Sequence, residues 1–168
     1  LSFLFPAHFL LIATTNPCAC GRQRAGLCEC STQARTQYMN RILGPLRDRI
    51  DLEVPVEGPD PEDDQLSGAQ ALGLIDAAGE RQRVRLRKTP HRFNGEIPAA
   101  ELESLVPLRS AALREYHAYA RSRQFSYRTL AGIRREARTV ADLEGAEEIR
   151  PVDLQEALYY RCLDRYWS

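Results

Sequence analysis

The stretch that decides the fold is SYRTLAGIRREARTVADL, residues 126–143. Its apolar residues recur at helical spacing on one face, which predicts an amphipathic helix packed against a core. Ser126 stands where an N-cap is expected, because its hydroxyl can accept a hydrogen bond from a backbone amide of the first turn. The sequence therefore places a core helix in the carboxy-terminal part of the chain. The residues on the apolar face are Leu130, Ile133, Ala137 and Val140.

Five more helical segments are predicted from their caps and breakers. Ser31 is a good N-cap for the first of them, which Gly44 and Pro45 end. Pro98 precedes a short segment, and Pro151 opens the last one as a first-turn proline. The segments are residues 31–43, 65–87, 99–106 and 110–123, with the last beginning at residue 151.

Two segments have the patterns of strands. FLLIA, residues 9–13, is a continuous apolar run that suits a strand buried in a parallel sheet. RIDLEVPV, residues 49–56, alternates apolar residues with a period of two, and Pro55 predicts an edge position or an early end. The predicted fold class is an α/β remnant followed by an all-α part. A chain that starts on such a buried strand is expected to be the downstream part of a longer protein.

Composition and charge limit the candidate partners. The 168 residues include 23 basic and 23 acidic side chains, so no global field attracts nucleic acid or an anionic membrane. The apolar run at residues 1–13 is too short to span a bilayer, and no membrane partner is expected. The acidic stretch GPDPEDD, residues 58–64, is a predicted linker ahead of a basic run, residues 81–88. That run is either a solvated helix face or a phosphate contact.

Four of the five cysteines lie within TTNPCACGRQRAGLCEC, residues 14–30. They form two C-x-C pairs, and Gly21 and Gly26 allow the loop between the pairs to fold back so that all four face one point. Four thiolates at one point suit a closed, structural, tetrahedral zinc site. Reduced free thiols are the alternative, and disulfides are disfavoured because nothing marks the chain as secreted. The cysteines are Cys18, Cys20, Cys28 and Cys30.

Three blocks carry a family resemblance that covers nearly the whole chain: LIATTNPCACG, then GPLRDRIDLEV, then SYRTL with ARTVADLEGAEEI and DLQEALYYR. In these blocks the chain resembles the carboxy-terminal third of the ComM/YifB proteins, the magnesium-chelatase-related branch of the AAA+ ATPases. The family is associated with ATP-driven hexamers that act on DNA in natural transformation and recombination. Its phosphate-binding loop, G-x-x-x-x-G-K-[ST], does not occur in this sequence, so the chain is not expected to hydrolyse ATP alone.

The resemblance assigns catalytic roles to three residues. Asn16, after the FLLIA strand, corresponds to the sensor-one residue that orients water against a γ-phosphate. Arg49 corresponds to an arginine finger that reaches a neighbouring subunit's nucleotide and neutralises charge on the transferring phosphoryl group. Arg128 corresponds to the sensor-two arginine at the start of a lid helix, where it would also bind the nucleotide.

Each of these residues has a structural alternative. An asparagine before Pro17 can merely turn the chain. Arg49 can form a surface salt bridge with Asp48 or Asp51, which contributes little to stability. Arg128 can be a surface arginine that tolerates the helix macrodipole.

The sequence also departs from the family pattern. Arg47 stands where the family usually has an apolar residue, and so do Arg134 and Glu136 in the lid helix. The latter two predict a lid helix that packs less tightly than usual.

The resemblance implies three parts. Residues 1–58 would be the end of the AAA+ α/β core with a cysteine-rich insertion, residues 59–91 an acidic linker and basic helix, and residues 92–168 the helical lid. The implied cofactors are ATP and Mg²⁺, with structural zinc from the cysteine pattern. The implied partners are DNA and either a hexameric ring of the same chain or a chain that carries the phosphate-binding loop.

The implied function is to couple ATP hydrolysis to DNA remodelling or branch migration in the cytoplasm. The alternative, from a different class, is a non-enzymatic module whose zinc loop and basic run bind nucleic acid or a partner protein. The two differ in that the second needs no nucleotide and no other chain.

Overall fold

The computed structural model describes residue 3 and residues 9–22, 27–43, 46–56, 66–123 and 125–161. The chain divides into two compact units, one formed by Leu1–Gly44 with Tyr166–Ser168 and the other by Pro45–Arg165. The predicted linker, residues 58–64, lies outside the described residues.

The first unit contains the cysteine loop and one helix, α1, Thr32–Leu43. The backbone amide of Ala34 donates to the Ser31 hydroxyl at 3.2 Å, which confirms the predicted N-cap. Among the described residues of this unit, the buried apolar side chains are Cys18 and Met39. Its described interior is therefore small and is built in part from a cysteine.

The second unit is helical, and its helices confirm the predicted segments. Three short 3₁₀ turns lie between or before them. The helices are α2, Gly68–Leu86; α3, Leu102–Leu105; α4, Ser110–Arg123; α5, Tyr127–Leu143; and α6, Pro151–Tyr159. The 3₁₀ turns are Arg47–Arg49, Asn94–Glu96 and Ala99–Glu101.

The ends of α5 are fixed by local chemistry. The Ser126 hydroxyl accepts a hydrogen bond from the Thr129 amide at 3.1 Å, as the sequence predicts. At the other end Gly145 has a φ of +70°, in the left-handed region that glycine adopts without strain. The Ala146 amide donates to the Ala141 carbonyl at 2.8 Å, which closes the helix.

α5 is the helix around which the second unit packs. On it Ile133, Ala137 and Ala141 are at most 1% exposed. They share one apolar cluster with Leu86 of α2 and Leu154 of α6. Burial of a large aliphatic side chain of this kind stabilises a fold by about 1.5–3 kcal/mol.

α5 also buries charge, which is neutralised within the unit. Asp142 is 1% exposed and accepts a bidentate pair of hydrogen bonds from Arg85 of α2, at 2.7 and 2.8 Å. Arg138, one turn before it, forms a second ion pair with Asp142 at 3.0 Å. Two guanidinium groups therefore compensate one buried carboxylate, and the pair to Arg85 ties α2 to α5.

Asn94 completes this polar network. Its amide oxygen accepts from Arg85 at 2.6 Å, and its amide nitrogen donates to Asp142 and to Thr139, both at 3.0 Å. The Asn94 backbone amide donates to the Gln82 side chain at 2.9 Å. Since buried polar groups are costly unless paired, these bonds fix the 3₁₀ turn at Asn94 against α2 and α5.

The two predicted strands are not observed. Residues 9–13 and 50–56 have no regular secondary structure, and none of the described residues lies in a strand. Their apolar side chains face solvent, with Leu10 84% and Val56 71% exposed. A strand requires a neighbouring strand to take up its backbone hydrogen bonds, and neither segment has one within the described ranges. The helical part of the predicted fold is confirmed, and its α/β part is absent from these residues.

Within the part of the chain that the structure describes, no helix is both long and apolar enough to cross a bilayer.

Candidate functional site

The four cysteine sulfurs of the first unit form a cluster. All four Sγ atoms lie within 4.8 Å of one another, and the distances are 3.1 Å for Cys18–Cys20, 3.5 Å for Cys18–Cys28 and 3.4 Å for Cys20–Cys28. A regular tetrahedron of thiolates around zinc has sulfurs about 3.8 Å apart, since each Zn–S bond is about 2.3 Å. The loop thus gathers the four predicted ligands, Cys30 included, around one point, with the three distances given above shorter than that tetrahedral spacing by about 0.3–0.7 Å.

The protonation states of the four cysteines depend on one another. None of its members is in a disulfide. The hydrogen bond with Cys20 lowers the pKa of Cys18 to about 6. A backbone hydrogen bond at Cys30 acts to lower the pKa of Cys28, but burial and the neighbouring sulfurs outweigh it and raise that pKa to about 12. Four thiolates at this distance would repel one another strongly, so full deprotonation requires a cation among them.

Asn16 lies in the same loop, ahead of Cys18. It is exposed, and its side-chain amide lies close to Gly21, where an added Cβ would be 3.4 Å from Asn16 Nδ2. Gly21 has a φ of +68° and its amide donates to the Cys18 carbonyl at 3.1 Å. The segment before Asn16 is not in a strand, so the expected position at the edge of a sheet is not observed.

Arg49 and Arg128 lie in the second unit, and both are exposed. Arg49 ends the 3₁₀ turn Arg47–Arg49, and Arg128 lies in the first turn of α5. Their neighbours in sequence are joined, because the Thr129 hydroxyl donates to Asp48 at 3.4 Å. The structure therefore brings together the segments that carry these two predicted site residues.

A second, stronger contact holds the Arg49 segment against the helices. Arg161, after α6, donates through Nη2 to Asp51 at 2.8 Å and to Glu136 of α5 at 2.5 Å. The Arg161 side chain is only 4% exposed. The Glu53 amide adds a backbone bond to the Tyr160 carbonyl at 2.9 Å. Residues 48–53 are thus attached at three points to α5 and to the end of α6, and we call these residues the finger segment.

Gly132 makes the Arg161 contact sterically possible. A Cβ on this α5 residue would overlap Arg161 Nη2 and would lie 3.3 Å from the Asp51 carboxylate. Glycine in the middle of a helix costs about 1 kcal/mol relative to alanine. At this position the missing side chain of Gly132 leaves the space in which the Arg161 guanidinium packs against α5.

Glu136 is the titratable group of this contact. Burial raises its pKa from 4.5 to about 7, although the hydrogen bond and charge of Arg161 act in the opposite direction. The nearby Asp51 carboxylate contributes to the rise. Two carboxylates that share one guanidinium retain a proton more readily than one would.

The sequence interpretation missed Arg161 and Gly132. Arg161 lies 110 positions from Asp51, so no local pattern links them. Gly132 did offer a signal, because a glycine inside a strongly periodic helix often marks a close approach. Glu136 and Arg134, where the family pattern has apolar residues, both have partners: Glu136 binds Arg161, and Arg134 Nε donates to the Val106 carbonyl at 2.7 Å.

Comparison with known proteins gives the family. The profile described as magnesium chelatase, subunit ChlI, matches residues 1–64, and the profile described as magnesium chelatase, subunit ChlI C-terminal, matches residues 67–161. Both profiles describe the same subunit, so the second unit and the residues before it match one class of protein, magnesium chelatase subunit ChlI. The chain is a member of the magnesium chelatase ChlI family.

Three curated relatives are similar along almost the whole chain. The uncharacterised protein YifB of Salmonella typhimurium is 32% identical over 96% of the chain, and the uncharacterised protein YifB of Escherichia coli is 27% identical over 96%. The competence protein ComM of Haemophilus influenzae is 31% identical over 96%. The chain spans about a third of the length of these relatives, 32% in each case. No solved structure matches the chain.

The first prediction concerns the gap at Gly132. Gly132→Ala displaces the Arg161 guanidinium and leaves the nearly buried Glu136 without its partner. Loss of a buried ion pair lowers the free energy of unfolding by about 3–5 kcal/mol. The higher helix propensity of alanine raises it by about 1 kcal/mol. We expect the free energy of unfolding, measured by urea denaturation of the full chain, to fall by about 2–4 kcal/mol.

The matched control for this change is Gly73→Ala. Gly73 lies inside α2, and an added Cβ there meets no atom within 4 Å. This variant should be more stable than wild type by about 0.5–1 kcal/mol. Equal, stabilising effects of both substitutions would show that Arg161 does not depend on the gap.

The second prediction is a pH dependence. Because the pKa of Glu136 is about 7 in the folded chain and about 4.3 when unfolded, the folded state binds more protons between these values. The contribution of Glu136 to stability therefore falls as pH rises from about 4.3 to 7, by on the order of 3–4 kcal/mol, and is constant above that range.

Glu136→Gln isolates this contribution. The difference in unfolding free energy between wild type and Glu136→Gln should change across that pH range and be flat at higher pH. A difference that stays constant from pH 4 to pH 8 would contradict the raised pKa.

Proposed function

We propose that the chain is the carboxy-terminal part of a ComM-like AAA+ ATPase, and that it supplies the finger, the two sensors and the lid. The observation that carries this proposal is the attachment of the finger segment to α5. It puts Arg49 and Arg128 on one body, joined through the bond between Asp48 and Thr129. Two exposed arginines held in this way suit contact with a polyphosphate supplied by another part of the assembly.

The roles follow from charge and geometry. ATP with Mg²⁺, when bound in the assembly, would supply the phosphoryl group that is transferred. Arg49 would neutralise the charge that builds on that group, which can contribute about 10³-fold or more in rate. Arg128 would contact the phosphates from the first turn of α5, and Asn16 would orient the attacking water.

The assembly would also complete a sheet. The segments 9–13 and 50–56 are apolar and expose large side chains, among them Ile12 at 81% and Val54 at 57%. Exposed aliphatic runs of strand length are unfavourable in water, so we propose that both become strands when they pair with the rest of an AAA+ core. In this account the complete protein forms a hexameric ring in the cytoplasm and couples ATP hydrolysis to remodelling or branch migration of DNA.

The third prediction tests the finger. The purified chain alone should show no ATP turnover, since its sequence holds no G-x-x-x-x-G-K-[ST] loop. Addition of a family polypeptide that carries this loop should create turnover. Arg49→Ala in this chain should lower the new kcat by about 10³-fold, as measured by phosphate release.

The matched control is Arg114→Ala, which removes another exposed arginine of the second unit, on α4. It should leave turnover within about twofold of wild type. Turnover by the unaccompanied chain, or turnover that is indifferent to Arg49, would refute the proposed division of roles.

We further propose that the cysteine cluster binds structural zinc. Cys18 is buried, and the Arg22 amide donates to the Cys20 sulfur at 3.4 Å, a contact that favours thiolate. The site would have four protein ligands and no open position, so it would stabilise the loop rather than take part in hydrolysis. The scarcity of other buried apolar groups in the described part of this unit makes the metal a substantial share of its interior.

The fourth prediction concerns this metal. The chain purified under reducing conditions should contain about one zinc per molecule, and Co²⁺ in its place should give the intense visible absorption of tetrahedral thiolate coordination. Cys28→Ser should abolish stoichiometric binding, whereas Cys162→Ser, which changes the fifth cysteine, should preserve it. Wild-type protein free of metal after refolding with excess zinc would exclude the site.

A second candidate is a non-enzymatic module that binds nucleic acid or a partner protein through the zinc loop and the basic run. The gathered cysteines favour it, because a closed metal site needs no nucleotide. Unlike the ATPase, this module requires no second chain, so binding of nucleic acid or a partner protein by this chain alone would support it.

A further inference from the structure

The basic run at the end of α2 has two faces with different partners. Arg81 and Arg85 point to α5, where Arg81 donates to the Asp142 carbonyl at 3.0 Å and Arg85 binds the Asp142 carboxylate. Arg83 and Arg87 alternate with them and are exposed. The run is therefore structural on one face and open to solvent on the other.

The open face borders a cleft of about 370 Å³ between the end of α2 and the chain that follows it. Arg83, Arg87 and Arg92 line this cleft. His91 also lines it, but its ring binds the Glu101 carboxylate at 3.0 Å. The Arg92 and Phe93 amides donate to Glu96, so the three arginines are the groups open to an added anion. Arg83 has an ion pair with Glu80 at 2.6 Å, but both side chains are more than half exposed. Such a pair contributes little and can be exchanged for another anion.

An aromatic ring lies at the same cleft. Phe93 lines it and is 50% exposed, and the Arg92 guanidinium is 5.7 Å from the centre of the ring. The last turn of a helix attracts cations through the macrodipole, which accounts for Arg83 and Arg87. It does not account for Arg92 and Phe93, which lie beyond the end of the helix.

We propose that this cleft, which we call the α2 cleft, binds single-stranded nucleic acid. Arg83 and Arg87, four residues apart on one side of α2, would contact successive phosphates, and a base would stack on Phe93. Basic grooves with exposed aromatic rings bind single strands in this way. A duplex keeps its bases stacked inside, so its phosphates could contact the arginines but none of its bases could stack on Phe93.

This site is independent of the proposed ATPase role. It requires neither nucleotide nor a second chain, so its failure and the failure of the finger assignment are separate results. It rests on the second candidate function and deepens it, because it locates the nucleic-acid contact on the basic run of the second unit rather than on the cysteine loop.

The test is binding of fluorescein-labelled oligothymidylate of about 16 nucleotides to the full chain, measured by anisotropy between about 50 and 200 mM salt. An oligouridylate arm and a duplex arm use the same label. Wild type should bind both single strands more tightly than the duplex, and the tighter of the two identifies the ligand.

The variants separate charge from stacking. Phe93→Leu should weaken binding by about tenfold, or ~1.4 kcal/mol, and Phe93→Trp should restore it. The double variant Arg83→Gln with Arg87→Gln should reduce the salt slope by about 0.7 for each arginine removed. Arg121→Gln with Arg123→Gln, at the exposed end of α4, is the charge-matched control and should bind like wild type.

Urea denaturation of each variant establishes that it remains folded. The proposal is overturned if wild type does not bind at about 50 mM salt, or if the cleft variants and the α4 control lose the same affinity. It is also overturned if Phe93→Leu binds like wild type, since the surface is then only a polyanion patch. Loss of binding on Arg22→Gln with Arg24→Gln, with the cleft variants unaffected, would assign the contact to the cysteine loop.

Discussion

The burial of α5 is the constraint on which the rest of the second unit depends. A helix enclosed on several sides must have its charged side chains neutralised inside the protein, because unpaired buried charge is costly. Asp142 is neutralised by Arg85 from α2, and Glu136 by Arg161 from the end of α6. The bonds that neutralise the buried charges of α5 therefore also determine which elements pack against it. Apolar contacts around Ile133 and Leu154 fill the space between the helices.

One consequence concerns the finger segment. Arg161 reaches Asp51 because Gly132 leaves a gap in the surface of α5, and the segment with Arg49 is thereby held on α5 and the end of α6. In the proposed ATPase, Arg128 and Arg49 would then move together, so that a phosphate contact at one would be transmitted to the other by a packed body rather than through a flexible loop.

The sequence predicted what is set locally. Helix caps such as Ser31 and Ser126 depend on residues within one turn, and the cysteine cluster depends on a short loop with a glycine at Gly21, so patterns and spacing were sufficient. The strands were not observed because strand formation depends on a neighbour, which neither the continuous apolar run of FLLIA nor the alternation in residues 49–56 reveals. The Arg161 contact was missed for the same physical reason, since its partners are brought together only by tertiary packing.

Hydrogen exchange of the wild-type chain tests most directly whether the finger segment is held against α5 and α6. The Glu53 amide donates to the Tyr160 carbonyl, so it should exchange far more slowly than the neighbouring Val54 amide, and with a protection that approaches that of the amides inside α5. If Glu53 exchanges as fast as Val54 while α5 remains protected, the finger segment is not held by the helices, and the explanation of how Arg49 is positioned fails.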